Sequence, residues 1–535
     1  MKLKKIMLDW NVIKYLKQPE KIEELEKKKK VEILNKILAR LKYRGDKIPF
    51  CKSHLADLRK SFSLENEDLV KEDLKFLENL SVCYYIDYEH KLGKTKLLEN
   101  EEYKKYLNLA KTEREFVVVT EKKLKKNGFV DIKTKETLKE GDKVYFNNRD
   151  KNIVAIIIGK EDIKNGINMI VSHLDSPRLD LKPNPIKEQE EFALLNTNYY
   201  GGIKKYQWAS TPLALHGVVY LKDGTKVTLA IGEQEGEPVF CVPDVLPHLA
   251  RKVQGERKTA EVIKGEELKL LFGNTPVKDK NIDKKVKQWV LNKLKEKYGM
   301  EEDDFFTAEL EIVPAGKLRD VGLDETMIGG YGQDDRICAY TSLAALYEVK
   351  DPRKTVMVYL TDKEEIGSEG STGLKSTLPE YIVGKILSMT EKNYNDQMLR
   401  ETLWNSKALS SDVTAAVNPV FSSVHDLDNA ARLSYGIAFA KYTGSGGKYG
   451  SSDADAEFIQ EIREVFEKNA IEYQIGGFGK VDEGGGGTVA KFLAYYGIRT
   501  IDAGPALISM HSLFEISSKA DLYETYKAYK VFFEI

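Results

Sequence analysis

The residues of this chain best suited to chemistry are acids and histidines that stand at the ends of apolar segments. His173 and Asp175 close the run INMIVSHLD, and Asp334 and Asp335 precede the helical pattern RICAYTSLAALYEV. Glu364 and Glu365 follow TVMVYLTD, Asp412 follows KALSS, and His511 lies in ISMHSLFE after TIDAGPA. In open α/β sheets, functional groups gather at the carboxyl ends of strands, so these segments would bring two imidazoles and several carboxylates to one region. Imidazole nitrogen and carboxylate oxygen are both zinc donors, with bonds of roughly 2.0–2.2 Å. Two cations roughly 3.5–4 Å apart need a shared ligand, and one carboxylate supplies it with its two oxygens. A further carboxylate must stay off the metals to serve as base toward a water. Successive side chains of an extended segment point opposite ways, so within Glu364–Glu365 one can ligate while the other faces the water. The chemistry alone orders neither that pair nor Asp334–Asp335. Asp175, two residues beyond His173, is spaced to accept the imidazole's second N–H and fix its tautomer. Singly, each element has an ordinary reading: a polar pair, a solvated pair of acids, or acids capping a helix dipole. Their order along the chain is what lifts them above it. His54, His90, His216 and His425 lack such a setting and read as structural.

The elements that must position these groups are legible in the periodicity. The chain has 535 residues and 42% hydrophobic content, enough for more than one domain with a large core. Residues 1–95 are rich in lysine and glutamate with helical spacing of leucine and isoleucine, which predicts a mainly helical extension. Apolar runs such as NIVAIIIG and INMIVS predict buried strands. Residues 186–318 carry short alternating segments, GVVYL, KVTLAIG and ELEIVPA, around a charged helical stretch, which predicts an inserted β-rich domain. From about 330, helices and apolar strands alternate, which predicts an α/β domain with a parallel or mixed sheet. The expected division is 1–95 extension, 96–185 with 319–535 catalytic domain, and 186–318 insertion.

With the motifs in place, the chain resembles the M18 family of metalloaminopeptidases. HLDSPRLDLKPNP (173–185), GGYGQDDR (329–336), DKEEIGSEGSTG (362–373), SSDVTAAVNPVF (410–421) and MHSLFE (510–515) carry the likeness in order, over roughly residues 96–535. The resemblance implies a zinc-peptidase α/β domain, a mixed sheet flanked by helices, interrupted by a β-rich dimerisation domain. It implies His173, Asp334, Glu365, Asp412 and His511 as metal ligands with Asp334 bridging, Glu364 as general base, and Asp175 as partner of His173. It also nominates His248, in FCVPDVLPHLA, as a histidine reaching a neighbouring subunit's site, and Lys441, in GIAFAKYTG, as a substrate-pocket lysine. The implied cofactor is two divalent ions per subunit, zinc first, with cobalt or manganese tolerated by the same donors. The implied substrates are peptides with a free N-terminus, and the implied assembly is dimers building a dodecamer. The alternatives are a related amide hydrolase or carboxypeptidase, and a catalytically silent scaffold or cargo protein.

Other function classes fit poorly. Lysine plus arginine number 83 against 84 acids, so no nucleic-acid partner is expected. Apolar runs are too short to cross a bilayer, and the basic start of the chain lacks the sustained apolar stretch of a signal peptide. Four scattered cysteines fit a reducing compartment, so a cytoplasmic location is expected. The first 95 residues faintly resemble the opening of a PIN-type nuclease, with Asp9 and Asp57 as candidate acids. The segment is short for that fold, and a non-catalytic appendage is the favoured reading.

Overall fold

The structure is a computed structural model and describes residues 97–535 apart from Phe478. The expected N-terminal extension, with Asp9, Asp57, His54 and His90, lies outside the described residues. Tyr103–Ile535 form one compact unit.

Helices α1 (Leu97–Leu109) and α2 (Glu113–Lys126) open this part of the chain. Thr112 and Glu115 form a reciprocal capping box at the start of α2, which satisfies amides that the helix itself leaves without partners. Then come β1 (Val130–Asp131), β2 (Lys143–Asn148), β3 (Asn152–Ile157) and β4 (Ile167–His173). Every residue of β3 and β4 is buried, as their unbroken apolar runs demand of strands covered on both faces.

The chain then leaves the main sheet to build a second one from β5 (Arg178–Gln189), β6 (Phe192–Tyr200), β7 (Leu213–Tyr220), β8 (Lys226–Ile231), β9 (Lys269–Gly273) and β10 (Ala308–Pro314). Its order is β8-β7-β10-β5-β6-β9, antiparallel throughout. It also carries α3 (Pro247–Val253) and α4 (Lys285–Tyr298); Val286, Val290 and Leu294 of α4 pack with Leu179, Leu195 and Leu215 of the sheet. The expected boundary at 185/186 falls inside β5, because that strand starts at Arg178 and carries Pro183 and Pro185 past a register shift between Leu181 and Ile186. Proline reads as a strand breaker in sequence, and an irregular ladder tolerates it.

Strands β11 (Arg319–Val321) and β12 (Met327–Gly330) lead into α5 (Gln333–Glu348) and β13 (Thr355–Thr361). After these come α6 (Leu378–Thr390), α7 (Asp396–Trp404), β14 (Lys407–Ser410), β15 (Thr414–Ala415), β16 (Ile437–Ala440) and α8 (Ala456–Lys468). The chain ends with β17 (Tyr473–Ile475), α9 (Ala490–Tyr495), β18 (Arg499–Gly504), β19 (Ala506–Leu507), β20 (Glu515–Ser518) and α10 (Lys519–Phe532). The main sheet is mixed and nine-stranded, in the order β1-β2-β3-β13-β4-β14-β18-β16-β17, with β13, β4, β14 and β18 parallel at its centre. Side chains alternate between two cores. Ile153, Ala155, Ile170, Val356 and Val358 face α2, α5, α8 and α10, whereas Val154, Ile156, Met169, Met357 and Tyr359 face α6, α7 and α9. This period of two fixes which strand-end residues emerge on each side. Among the described residues no helix is long and apolar enough to cross a membrane.

Candidate active site

The four central strands end side by side, and each delivers its chemistry there. β4 ends on His173, β13 runs into Glu364–Glu365 and β14 into Asp412. Gly504 closes β18 so near Asp412 that a Cβ would sit 2.1 Å from the Asp412 carbonyl oxygen, which is why TIDAGPA needs glycine there. Asp334 and Asp335 lie at the start of α5 and are joined by a cis peptide bond. Lys363 (φ 66°) and His511 (φ 63°) hold left-handed backbone next to functional side chains, a conformation that costs non-glycine residues about 1 kcal/mol or more.

The Asp334 carboxylate stands between the two histidines. Its Oδ1 is 3.3 Å from His173 Nε2 and its Oδ2 is 3.2 Å from His511 Nε2. Asp412 Oδ1 lies 3.8 Å from His173 Nε2, and Glu365 Oε1 lies 3.4 Å from His511 Nε2. The donor atoms thus fall into two halves, His173 with Asp412 and His511 with Glu365, sharing Asp334. His173, Asp334 and Glu365 also offer three donor atoms within 4.8 Å of one another, as do His173, Asp335 and Asp412. Asp335 differs from Asp334 in its duties: its Oδ2 accepts the His173 backbone N–H at 3.1 Å, and it meets only one histidine.

These donors fit divalent cations. Asp334 Oδ1 and Glu365 Oε1 are buried and have no hydrogen-bond partner, although the side chains of Asp334 and Glu365 are each 4% exposed. Desolvated carboxylate oxygens without partners are costly, and a cation resolves the cost. The protein's own charges tell the same story. Burial pushes Asp412 and Glu365 well up from the usual carboxylate range and Glu364 up to about 7, with neighbouring acids adding to it. Burial lowers His511, but Asp334 and Glu365 outweigh it and bring it to about 10. Asp334 is held well below the usual range, because His173 and His511 overcome its burial.

Four groups outside the donor set hold it in place. Asp175 accepts the backbone N–H of Glu364 on Oδ1 and that of Glu365 on Oδ2, both at 3.1 Å. Its Oδ1 is 3.4 Å from His173 Nδ1, and its carbonyl oxygen lies 2.9 Å from the same nitrogen. Asp175 thus stands beside His173 with its backbone carbonyl nearer Nδ1 than its carboxylate, and it also holds the two glutamate amides, which spacing did not suggest. Glu515 accepts N–H groups from Gln333, Asp334 and His511 at 2.6, 3.1 and 2.8 Å. It lies four residues past His511 in a motif already singled out, and its role was not read from the sequence. Tyr200 donates its hydroxyl to Asp175 Oδ2 at 2.8 Å, and the Gly202 carbonyl lies 3.1 Å from His511 Nδ1. Both come from the end of β6, where nothing in the alternating pattern distinguishes them.

The site opens on a cavity of about 340 Å³ lined by the donors, Glu364, Val413, Thr414, Ala440, Tyr442, Gly485–Gly487, Asp502 and Met510. Thr488 donates its hydroxyl to Asp502 at 2.6 Å. His248 and Lys441 are not brought to this cavity. His248 is exposed on α3, and Lys441 is exposed between the lining residues Ala440 and Tyr442. His216 is a structural histidine, between Glu115 at 2.7 Å and Glu233 at 3.0 Å.

Residues 106–533 match the family model for aminopeptidase I zinc metalloproteases, M18. The chain belongs to the M18 family. A probable M18 family aminopeptidase 1 from Borrelia garinii subsp. bavariensis is 55% identical over 437 residues, covering 81% of this chain and 95% of that protein. The crystal structure of an M18 aminopeptidase from Thermotoga maritima shares 47% identity at a TM-score of 0.80, covering 82% of this chain and 97% of the other. The S. cerevisiae mApe1 dodecamer has the same fold at 23% identity and a TM-score of 0.65, covering 81% and 95%. This M18 chain is a metal-dependent aminopeptidase, and the carboxypeptidase and silent-scaffold alternatives are not favoured.

Proposed function

We propose that the chain releases N-terminal residues from peptides with two divalent ions, zinc first, held by His173, Asp334, Glu365, Asp412 and His511, with Asp334 shared. The observation that carries this reading is the Asp334 carboxylate, one oxygen toward each histidine, with Glu365 and Asp412 on either side. Bound there, the cations would supply Lewis acidity, which acidifies a water toward neutral pH and polarises the scissile carbonyl. Glu364 is the base: it takes the proton of the attacking water and returns it to the leaving amine. Its place beside Glu365, with a carboxyl lifted by burial to about 7, suits a group that must both accept and donate near neutrality. Asp175 anchors the two glutamate amides, and its contacts with His173 Nδ1 leave Nε2 free as donor.

Homo-oligomeric assembly belongs to the same reading. The exposed His248 would then serve a site across a subunit contact, and the dodecamer of the yeast protein supports such an assembly. Lys441, flanked by two lining residues, would meet substrate at the rim.

The test is a panel of aminoacyl chromogenic substrates and matched free and N-acetylated peptides, assayed with zinc, cobalt or manganese added back. Release of single residues from free peptides only, with two ions bound per chain, is expected. Equal cleavage of acetylated peptides overturns the exopeptidase reading, and one ion per chain at full turnover overturns the shared-ligand site.

A further inference from the structure

Three consecutive residues at the end of β6, Tyr200, Gly201 and Gly202, each touch a different part of the catalytic centre. They close β6 of the inserted sheet, a strand that carries none of the sequence motifs. Tyr200 donates its hydroxyl to Asp175 Oδ2, the oxygen that also accepts the Glu365 N–H, while Asp175 Oδ1 accepts the Glu364 N–H. Gly201 (φ +73°) passes so close to Glu365 that a Cβ would lie 3.3 Å from the Glu365 Cβ and 3.4 Å from its Oε2. The Gly202 carbonyl accepts the His511 Nδ1–H and turns Nε2 toward Asp334 and Glu365.

We propose that Tyr200–Gly202 is a positioning element through which the inserted sheet sets the orientation of Glu364 and His511, with the Tyr200 hydroxyl acting on Glu364 through Asp175. The inference rests on the reading of Glu364 as the base. The physical argument runs from rigidity. Glu364 and Glu365 sit in a single 3-10 turn behind the left-handed Lys363, so no strand ladder holds their amides. The Asp175 carboxylate replaces that ladder, and its direction depends on what else binds it. The Tyr200 ring is itself fixed, because the Arg178 guanidinium stacks 4.0 Å from its centroid. Arg178 in turn is held by Glu113, Asp180 and Glu311 at 3.3, 2.8 and 3.3 Å. The chain of contact from the inserted sheet to the base is continuous: Arg178, Tyr200, Asp175, Glu364. Tyr200 touches no reacting atom, so it is a positioning residue, and its loss must show in turnover rather than in substrate binding.

The test is a double-mutant cycle on the metal-loaded full chain, with Tyr200→Phe, Glu364→Asp and the double variant. Tyr200→Phe removes one oxygen and keeps the ring, so folding is preserved. A drop in kcat of about ten- to a hundredfold is expected, the range for loss of a group that orients an active-site residue. KM should stay within about twofold and metal content unchanged. In the Glu364→Asp background, the loss from Tyr200→Phe should shrink to about threefold or less, because the shorter base no longer uses the alignment. Wild-type kcat in Tyr200→Phe, or the same fold-loss in both backgrounds, overturns the proposal. Full turnover in Glu364→Asp and also in Glu364→Gln would instead remove Glu364 as base, a failure separate from that of Tyr200.

Discussion

Two clusters of buried charge lie within one segment of each other in this fold, and they are built on opposite rules. Where the inserted sheet meets α2, acids and bases alternate. Glu113 binds Lys151 and Arg178, Lys151 also reaches Glu309 at 2.9 Å, and Glu115 and Glu233 flank His216, with Lys111 2.5 Å from Glu233. At the strand ends, five acids, Asp334, Asp335, Glu364, Glu365 and Asp412, crowd two imidazoles and leave donor oxygens without partners. The first cluster pairs most of its charges within the protein and links the two sheets. The second holds more acids than the protein's own cations pair, a setting that divalent cations would suit. Burial of charge does not by itself mark a functional site; the imbalance does.

The largest effect that tests this contrast is metal removal. A chelator should take turnover to background and zinc should restore it, while unfolding followed by denaturant shows the junction intact in the metal-free chain. Activity that survives complete chelation, checked by metal analysis, would show the acid-rich cluster to be balanced without cations. Next comes Glu364→Gln, which should lower kcat about 10²- to 10⁴-fold, the usual contribution of a general base, with both ions retained. Full activity there breaks the division between ligands and base. Lys151→Met probes the other cluster. It leaves the buried Glu113 with Arg178 but without its lysine and should cost about 3–5 kcal/mol of stability, measured by denaturant unfolding, with metal content per folded molecule unchanged.

The smallest effect sharpens the contrast by pH. Burial lowers the His216 pKa, but its hydrogen bonds to Glu115 and Glu233 overcome that and bring it to about 9 from an ordinary 6.5. A folded-state pKa raised in this way stabilises fully below about 6.5, and the contribution fades as pH rises through 9. His216→Gln should therefore lower Tm most near pH 6, by a deficit worth at most about 3 kcal/mol, and approach the parent protein by pH 10. A deficit that stays constant across that range would mean that packing, rather than the protonated imidazole, supplies the contact.

Much of the fold was legible because burial writes itself into periodicity. The unbroken runs of β3, β4 and β13 read as strands buried on both faces, and RICAYTSLAALYEV read as the helix that is α5. The insertion was legible from its alternation, but its start was not, because Pro183 and Pro185 disguise the second half of β5. Within the site, His173, Asp412, His511 and the pairs Asp334–Asp335 and Glu364–Glu365 stood out by type and by their position at the ends of apolar segments, and only the family resemblance ordered the two pairs. Tyr200, Gly202 and Glu515 did not. A tyrosine ending a strand and a backbone carbonyl carry no signature, since their roles exist only across the contact they make.

The sequence by itself determined which side chains are able to bind metal and at which strand ends they stand, because donor chemistry and apolar periodicity are local properties of the chain. The tertiary structure decided the rest: which aspartate of the Asp334–Asp335 pair faces both histidines, that Asp175 holds two glutamate amides, and that His248 and Lys441 stay out of the cavity. Those facts depend on distances between segments up to hundreds of residues apart, and such distances are set by how sheets and helices pack, a property no local pattern encodes.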